Sequence, residues 1–538
     1  VLLFAVGYAS LANNTTANNN TAVGKDTLAA NTTGTGNTAV GAGALDTSTT
    51  ASYNTAVGGN ALDATTTGGT NVAVGYESLG ANTTGGSNSA VGGYALFTNS
   101  TGTNNSALGQ GALQSNTTAN NNTAVGAAAL LLNTTGTNLV AVGVSALDAN
   151  TTANDNVAVG VNALTANTTG NDNVALGHNA LSASTTSNDN TGLGNKALEA
   201  NTTGSSNTGI GNVALNSNTT GIENTAVGSE ALENNTTANY NTAIGYGAGK
   251  NNTTGGPWTF VGFQAGFNKG DGGSGEGTAV GYQALYASGG PLRNVAVGKE
   301  AMFHSTNFAD SNTGIGFQAL KSNTSGSTST AVGAYALTAQ TTGSQNCAIG
   351  EAAGISVTTG SGNTFLGTEA GSGQVTTESN SCYIARDNVG PANAAVWLHG
   401  QSNGSCIQGN NSTTWSTTSD QRLKKDIVAN TVGLSIIDNV TVKNFKYKQY
   451  SDGSPVTADD TIDMSEFPNA DGVHQVLIAQ GKTELQIGII AQELEAVAPS
   501  CVSTNAKGVK TVDTDELFWY MLNAIKELST KVKALEAG

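Results

Sequence analysis

The sequence predicts a mainly β chain, in which a long parallel β-solenoid is followed by a small α/β domain that ends in a coiled coil. Three observations predict this fold. A glycine recurs every 17 residues from Gly7 to Gly262, and at nearly that spacing on to Gly367. The residue before this glycine is aliphatic in all 22 repeats. Near residue 419 the charge-poor repetitive region gives way to ordinary mixed sequence.

The repeat has the consensus N-T-A-V-G-x-x-A-L-x-x-N-T-T-G-x-x, and we number its positions from the first glycine as position 0. Seventeen residues are too few for a strand, a helix and their loops, but they suit one coil made of two short strands and two turns. One such coil buries only two aliphatic side chains, so stacking must supply the core. At roughly 4.8 Å per coil, the stack forms a rod about 105 Å long.

Each repeat position has an expected role. The aliphatic residue at position −1 (Val23, Val57, Val125) is expected to point inward, as is the leucine found at position +4 in 17 repeats. Glycine at position 0 is expected where a Cβ would be blocked by backbone conformation or close approach. Asparagine occupies position −4 in 17 of 22 repeats and predicts an amide ladder along the rod.

The chain divides into a solenoid (residues 1–371), a neck with a degraded repeat (372–418) and a C-terminal domain (419–538). Residues 1–418 hold 8 Lys and Arg against 20 Asp and Glu, whereas residues 419–538 hold 12 against 17. An acidic, lysine-poor surface argues against nucleic acid and anionic membranes as partners. No apolar run is long enough to insert into a membrane. The missing initiator methionine suggests a fragment of a longer protein.

Metal and cofactor sites are not expected. The four cysteines (Cys347, Cys382, Cys406, Cys501) form no C-x-x-C pair, and no histidine cluster accompanies them. Small buried thiols are the preferred interpretation.

One aromatic-rich patch interrupts the repeat at Trp258, Phe260, Phe263 and Phe267. Two interpretations stay open, a sugar-binding platform and a thicker coil, of which the thicker coil is preferred.

The C-terminal domain mixes strand and helix patterns. Residues 442–448 alternate as in a strand, and residues 486–499 predict a strand that runs into a helix stopped by Pro499. The last segment predicts a coiled coil over residues 517–536; an amphipathic helix packed on a globular domain is the alternative. Its a and d positions are Phe518, Met521, Ile525, Leu528, Val532 and Leu535.

The Asn-Thr-Ala-Val-Gly motif is similar to the head repeats of trimeric autotransporter adhesins. That resemblance implies parallel β-rolls packed as trimers, although the coil here is longer. A column of small residues at position −2 (Ala22, Ala39, Ala56, Ala73) also looks suited to packing against copies of the chain. We therefore expect a homotrimer.

The C-terminal domain resembles the intramolecular chaperone of endosialidase-type phage tail spikes and tail fibres. The matching motifs are S-D-Q-R-L-K-K-D-I at residues 419–427, G-I-I-A-Q-E at 488–493 and V-D at 512–513. The resemblance implies a domain that trimerises, templates the folding of the upstream β-structure, and then cuts itself off. Carried over to this chain, the cleaved bond is Thr418–Ser419, with Ser419 as the nucleophile and Lys424 as its base.

This chemistry requires a neutral lysine, and burial on assembly would lower the pKa of Lys424 by desolvation. Five residues apart, Ser419 and Lys424 meet only if the chain turns after Asp420. The alternative is a helix start with Ser419 as N-cap and a solvated basic face.

The leading hypothesis is a trimeric fibre of a phage or related virus that contacts a host receptor, either a glycan or a surface protein. It would lie on the virion surface or be extracellular. Self-cleavage is the only catalytic activity expected. A polysaccharide-degrading spike would need paired carboxylates at a groove, whereas acids in the repeats are sparse and out of register. A bacterial surface adhesin is the other alternative.

Overall fold

The computed structural model forms two compact units, Val1–Trp415 and Ser416–Gly538, each of which is described by itself. Its described residues are 3–269, 275–287, 293–305, 309–373, 376–385, 396–400, 406–408, 433–445, 486–504, 510–512 and 514–538.

The first unit is the predicted parallel β-solenoid, and each repeat contributes one short strand. Strands β1 to β22 are Leu3–Val6, Asn20–Val23, Thr38–Val40, Thr55–Val57, Val72–Val74, Ser89–Val91, Ser106–Leu108, Thr123–Val125, Val140–Val142, Val157–Val159, Val174–Leu176, Thr191–Leu193, Thr208–Ile210, Thr225–Val227, Thr242–Ile244, Trp258–Val261, Gly277–Val280, Val295–Val297, Thr313–Ile315, Thr330–Val332, Cys347–Ile349 and Thr364–Leu366. Each pairs with the next in parallel, so that identical repeat positions stack, as Ala22 does on Ala39.

The expectation of two strands per coil is wrong. Beyond the glycine the backbone enters the left-handed region at Asp26 (φ 56°) and again at Leu28 (φ 50°), so it turns instead of extending. Each described coil therefore holds one strand, and turns form the remainder. The leucine at position +4 is nevertheless buried, as predicted.

The expectation that position −1 points inward is also wrong. Val57 is 37% exposed, and Val23 and Val125 are only partly buried, whereas Ala22 at position −2 is fully buried. Side chains alternate between the two faces of a strand, so positions −4 and −2 share one face and positions −3 and −1 share the other. The buried asparagine at position −4 places the first pair inside, and the aliphatic column therefore faces outward.

The asparagines form the predicted ladder at position −4 and a second one at position +7. The Asn37 backbone N–H donates to Asn20 Oδ1 at 2.8 Å, while Asn20 Nδ2 donates to a backbone carbonyl at 2.8 Å. At position +7, Asn116 Nδ2 donates to Asn99 Oδ1 at 2.8 Å. These bonds join successive coils and give most of the buried amide atoms partners. Among the described residues, three amide oxygens at position +7 have no partner: Oδ1 of Asn31, Asn235 and Asn252.

The glycine at position 0 meets both expectations for it. Gly24 has φ +139°, and a Cβ there would lie 2.6 Å from the carbonyl oxygen of Gly41. Because each glycine stacks on the next, any side chain at this position would push two coils apart.

The aromatic patch thickens the core, as the preferred interpretation predicts. Phe260 replaces alanine at position −2 and is buried, with its ring stacked on the buried Trp258 at 5.5 Å. The space comes from glycines that replace leucine at position +4: a Cβ on Gly266 would lie 2.2 Å from the Phe260 ring, and one on Gly249 would lie 2.6 Å away. Phe365 is accommodated in the same way by glycines in its own and the preceding coil. In these coils a large side chain at position −2 thus fills the space that leucine at position +4 fills elsewhere in the stack.

Three further strands follow the last repeat. Strand β23 (Cys382–Ala385) adds in parallel to β22, and β24 (Val396–Gly400) and β25 (Cys406–Gln408) continue the sheet in antiparallel fashion. Tyr383 stacks on Phe365 at 5.4 Å and is covered in turn by His399 at 4.1 Å.

The second unit is a small α/β domain. Its elements are α1 (Leu434–Ile437), β26 (Val442–Phe445), β27 (Gln486–Ile489), α2 (Ala491–Val497), a 3-10 turn (Pro499–Cys501), β28 (Val502–Thr504), β29 (Lys510–Val512) and α3 (Thr514–Glu536). β26 pairs antiparallel with β27, and β28 with β29. The core packs around Leu494, Ala498, Cys501 and Leu517. The predicted strand-to-helix segment is confirmed, and its helix ends just before Pro499.

Helix α3 carries the predicted apolar stripe. Ile525 and Leu528 on this stripe are 63% and 53% exposed. The helix is therefore confirmed, while its assembly into a coiled coil stays a prediction.

Candidate functional site

The predicted cleavage site lies outside the described residues. Thr418, Ser419 and Lys424 all belong to the segment 409–432, so their roles stay predictions. Among the described residues, the candidate binding surfaces lie on the outside of the solenoid.

The first surface, which we call the outer strand face, consists of positions −3 and −1 of β1 to β22. Position −1 is Val, Leu or Ile throughout, and its exposure reaches 52% at Val6 and 51% at Leu108. Position −3 is mostly Thr or Val, with Ser, Cys and Phe elsewhere. Neither column contains a charged residue in any of the 22 coils. A long exposed aliphatic column of this kind, bordered by hydroxyl groups and free of charge, is typical of an interaction surface.

The second surface is the turn face, where aromatic rings stack in two columns. At position +1, Phe263 stacks between Tyr246 and Tyr282 with centroids 5.3 and 5.2 Å apart. At position +5, Phe267 stacks on Tyr286 at 5.4 Å, which stacks on the next ring at 4.9 Å. The rings turn their faces to one another and their edges outward. A sugar platform needs free ring faces, so this geometry does not favour the sugar-binding interpretation, and Trp258 and Phe260 are buried out of reach.

Ion pairs flank the aromatic columns. Lys250 Nζ lies 2.7 Å from Glu230, which also accepts the Tyr246 hydroxyl at 3.0 Å. Lys321 Nζ lies 2.6 Å from Glu300. The lysine contacts lower the pKa of both glutamates, which keeps them ionised and paired. Each carboxylate is paired with a lysine of the next coil, so both stay ionised. Neither therefore has the raised pKa that the general acid of a glycosidase requires.

Across the described ranges no group of three or more His, Cys, Asp or Glu side chains could hold a metal ion. Cys347 and Cys382 are partly buried, and Cys501 is fully buried. Among these three thiols the expectation of burial holds fully for Cys501, and the side chain of Cys406 lies outside the described residues.

In an acidic cluster near the start of the solenoid a carboxyl pKa is raised, whereas in the ion pairs the carboxyl pKa values are lowered. Burial raises the pKa of Asp63, and the neighbouring Asp46 and Glu77 raise it further. The folded chain therefore binds a proton at Asp63 more tightly than the unfolded chain does. The stability gained from this is complete below the ordinary carboxyl pKa and is lost as pH rises through the raised pKa.

Replacing Asp63 with asparagine should therefore stabilise the solenoid at pH 7 by about 0.5 kcal/mol, because the variant has no charge that burial desolvates or that Asp46 and Glu77 repel. The difference from the parent should close near pH 3, where Asp63 is protonated. Thermal unfolding at the two pH values measures it. Glu223→Gln makes the analogous change at an exposed position where the adjacent coils carry the uncharged Ser206 and Tyr240, and it should be neutral; equal gains in both variants would contradict the role of the cluster.

Comparison with known proteins finds a similarity in the C-terminal unit. Residues 419–503 match the family model described as the chaperone of endosialidase. No curated protein and no solved structure matches the chain. Among the described helices, none combines the length and apolarity needed to cross a membrane. A chaperone-of-endosialidase domain behind a long solenoid of 17-residue coils fits an endosialidase-type tail fibre.

Proposed function

We propose that the chain is one subunit of a homotrimeric tail fibre of a phage or related virus, which binds a host-cell receptor. Its C-terminal domain directs trimer assembly and then cuts the Thr418–Ser419 bond. The observation that carries this proposal is the chaperone match, which begins at Ser419, directly after the solenoid unit and its neck.

The solenoid supplies a physical reason for a chaperone. Its coils are nearly identical, and their strands pair one repeat apart from end to end. A shift of one coil between neighbouring chains would preserve nearly every local contact, so register between chains is weakly specified by the repeats themselves. A domain of non-repetitive sequence at one end can set that register before the repeats pair.

The host contact is assigned to the turns of the fibre, where positions such as −5 and +1 vary from coil to coil while the buried positions repeat. The receptor would be a glycan or a surface protein. The aromatic columns offer ring edges, so a glycan would have to bind through polar groups of the turn face and not by stacking.

Light scattering and electron microscopy of the purified wild-type product test the assembly. We expect a mass of three solenoid chains and rods about 105 Å long, from 22 coils at roughly 4.8 Å each. Expression of residues 1–418 alone should give aggregated or misassembled material, because nothing sets the register. A monomeric wild-type protein, or a truncated protein that assembles as well as wild type, would contradict the proposal.

A further inference from the structure

The outer strand face carries a long column of aliphatic side chains at position −1, which stay partly or fully exposed among the described residues of their own chain. The solenoid interior is already filled by alanine at position −2 and leucine at position +4, both buried throughout most of the stack. The aliphatic side chains at position −1 project away from that core. In a monomer, this face would leave 22 aliphatic side chains in contact with water.

Charge is kept away from this face but not from the solenoid as a whole. Position −5, at the exposed turn before the strand, carries Asp155, Asp172, Asp189 and Glu223. Residues 1–418 contain 28 charged side chains, and the two columns of the outer strand face contain none. The cores of protein interfaces are depleted of charge in the same way.

The period of this face restricts what can cover it. Its aliphatic residues recur once per coil, so only a partner with the same spacing can contact every one of them. A receptor of irregular shape would contact a few coils and leave the others exposed. Another copy of this chain, running parallel and in register, matches the spacing along the whole stack.

The size of the outer strand face and the apolar stripe of helix α3 also favour another copy of the chain as the partner. Twenty-two residues at position −1 alone reach the roughly 20–30 residues per side of a stable interface. Helix α3 in the other unit separately exposes an apolar stripe that includes Met521 and Val532. If copies of the chain run side by side, we expect both the solenoid and helix α3 to expose apolar side chains to the neighbouring copy.

We infer that the outer strand face is the seam along which copies of the chain pack in parallel and in register. This inference rests on the proposed homotrimer and names the surface that forms it. It replaces the alanine column as the expected contact: Ala22, Ala39, Ala56 and Ala73 are fully buried inside their own chain and cannot reach another.

Cysteine cross-linking in the full chain tests the inference. In a background that lacks the four native cysteines, Val125→Cys should form a disulfide between chains under mild oxidation. Denaturing gels should show dimer plus residual monomer, since only two of three thiols around one axis can pair. Thr135→Cys, an exposed position in the N-T-T-G turn of the same coil, is the matched control and should stay monomeric.

Light scattering of both variants before oxidation separates this inference from the proposed function. If both are trimers and only Val125→Cys cross-links, the seam is established, and its register with it. If both are trimers but Val125→Cys fails to cross-link, or Thr135→Cys cross-links equally well, the seam lies elsewhere although the trimer stands. If parent and variants are monomers, both proposals are wrong.

Discussion

Replacing Ser419 with alanine should leave the chain at its full length of 538 residues, whereas the wild-type protein should yield a fragment that ends at Thr418. The hydroxyl is the proposed nucleophile on the preceding carbonyl, and alanine offers no substitute for it. Because one bond is either cut or intact, the expected effect is complete. Mass spectrometry of the assembled proteins measures it.

Lys424→Ala should block the cut as well, because the serine hydroxyl loses its base. Lys425→Ala is the matched control, since it removes an equal charge from the adjacent residue and should still be processed. Processing of the wild type should speed up as pH rises, since only the neutral amine can accept a proton. Both blocked variants should still assemble, because templating and cutting are separate tasks.

Wild-type protein that stays intact after verified assembly would remove the self-cleavage proposal. Ser419 would then be the cap of a helix and Lys424 a solvated surface charge. Cleavage in the Lys424→Ala variant but not in the Ser419→Ala variant would keep the nucleophile and require a different base.

Replacing Gly92 with alanine should break the stack locally and destabilise the protein by about 3 kcal/mol or more. Gly92 has φ +134°, which side-chain-bearing residues rarely adopt, and a Cβ there would lie 2.5 Å from the carbonyl oxygen of Gly109. That oxygen belongs to the backbone and cannot swing aside. Since each coil contacts only its neighbours, the damage should appear as new proteolytic cleavage near these two coils.

Gly93→Ala is the matched control for this prediction. The nearest atom to its Cβ would be the carbonyl oxygen of Tyr76 at 3.9 Å, an ordinary contact. Thermal unfolding and limited proteolysis should therefore distinguish two alanine substitutions in adjacent residues. If Gly93→Ala proves as damaging as Gly92→Ala, the stacking of position 0 is not what requires glycine there.

The sequence by itself determined the solenoid. A fixed period with one glycine, one aliphatic residue and one leucine per repeat admits few structures other than a stack of identical coils. The glycines that replace leucine beside Phe260 and Phe365 also recur in the sequence, but their packing role appears only in the structure. The second asparagine ladder was missed because asparagine in N-T-T-G has a sufficient explanation as a turn residue, and only burial reveals its other role.

Only the tertiary structure decided which side of each strand is inside. Adjacent positions −2 and −1 are both apolar, so the alternation of a strand is compatible with either face pointing inward. The larger aliphatic residue was expected in the core. The coil is too thin for that: leucine from position +4 fills the interior, so the strand must contribute only a small side chain opposite it, and the asparagine at position −4 bonds on the same side. The limited interior volume and the hydrogen bonds of the position −4 amides therefore decide that the aliphatic residues at position −1 face outward.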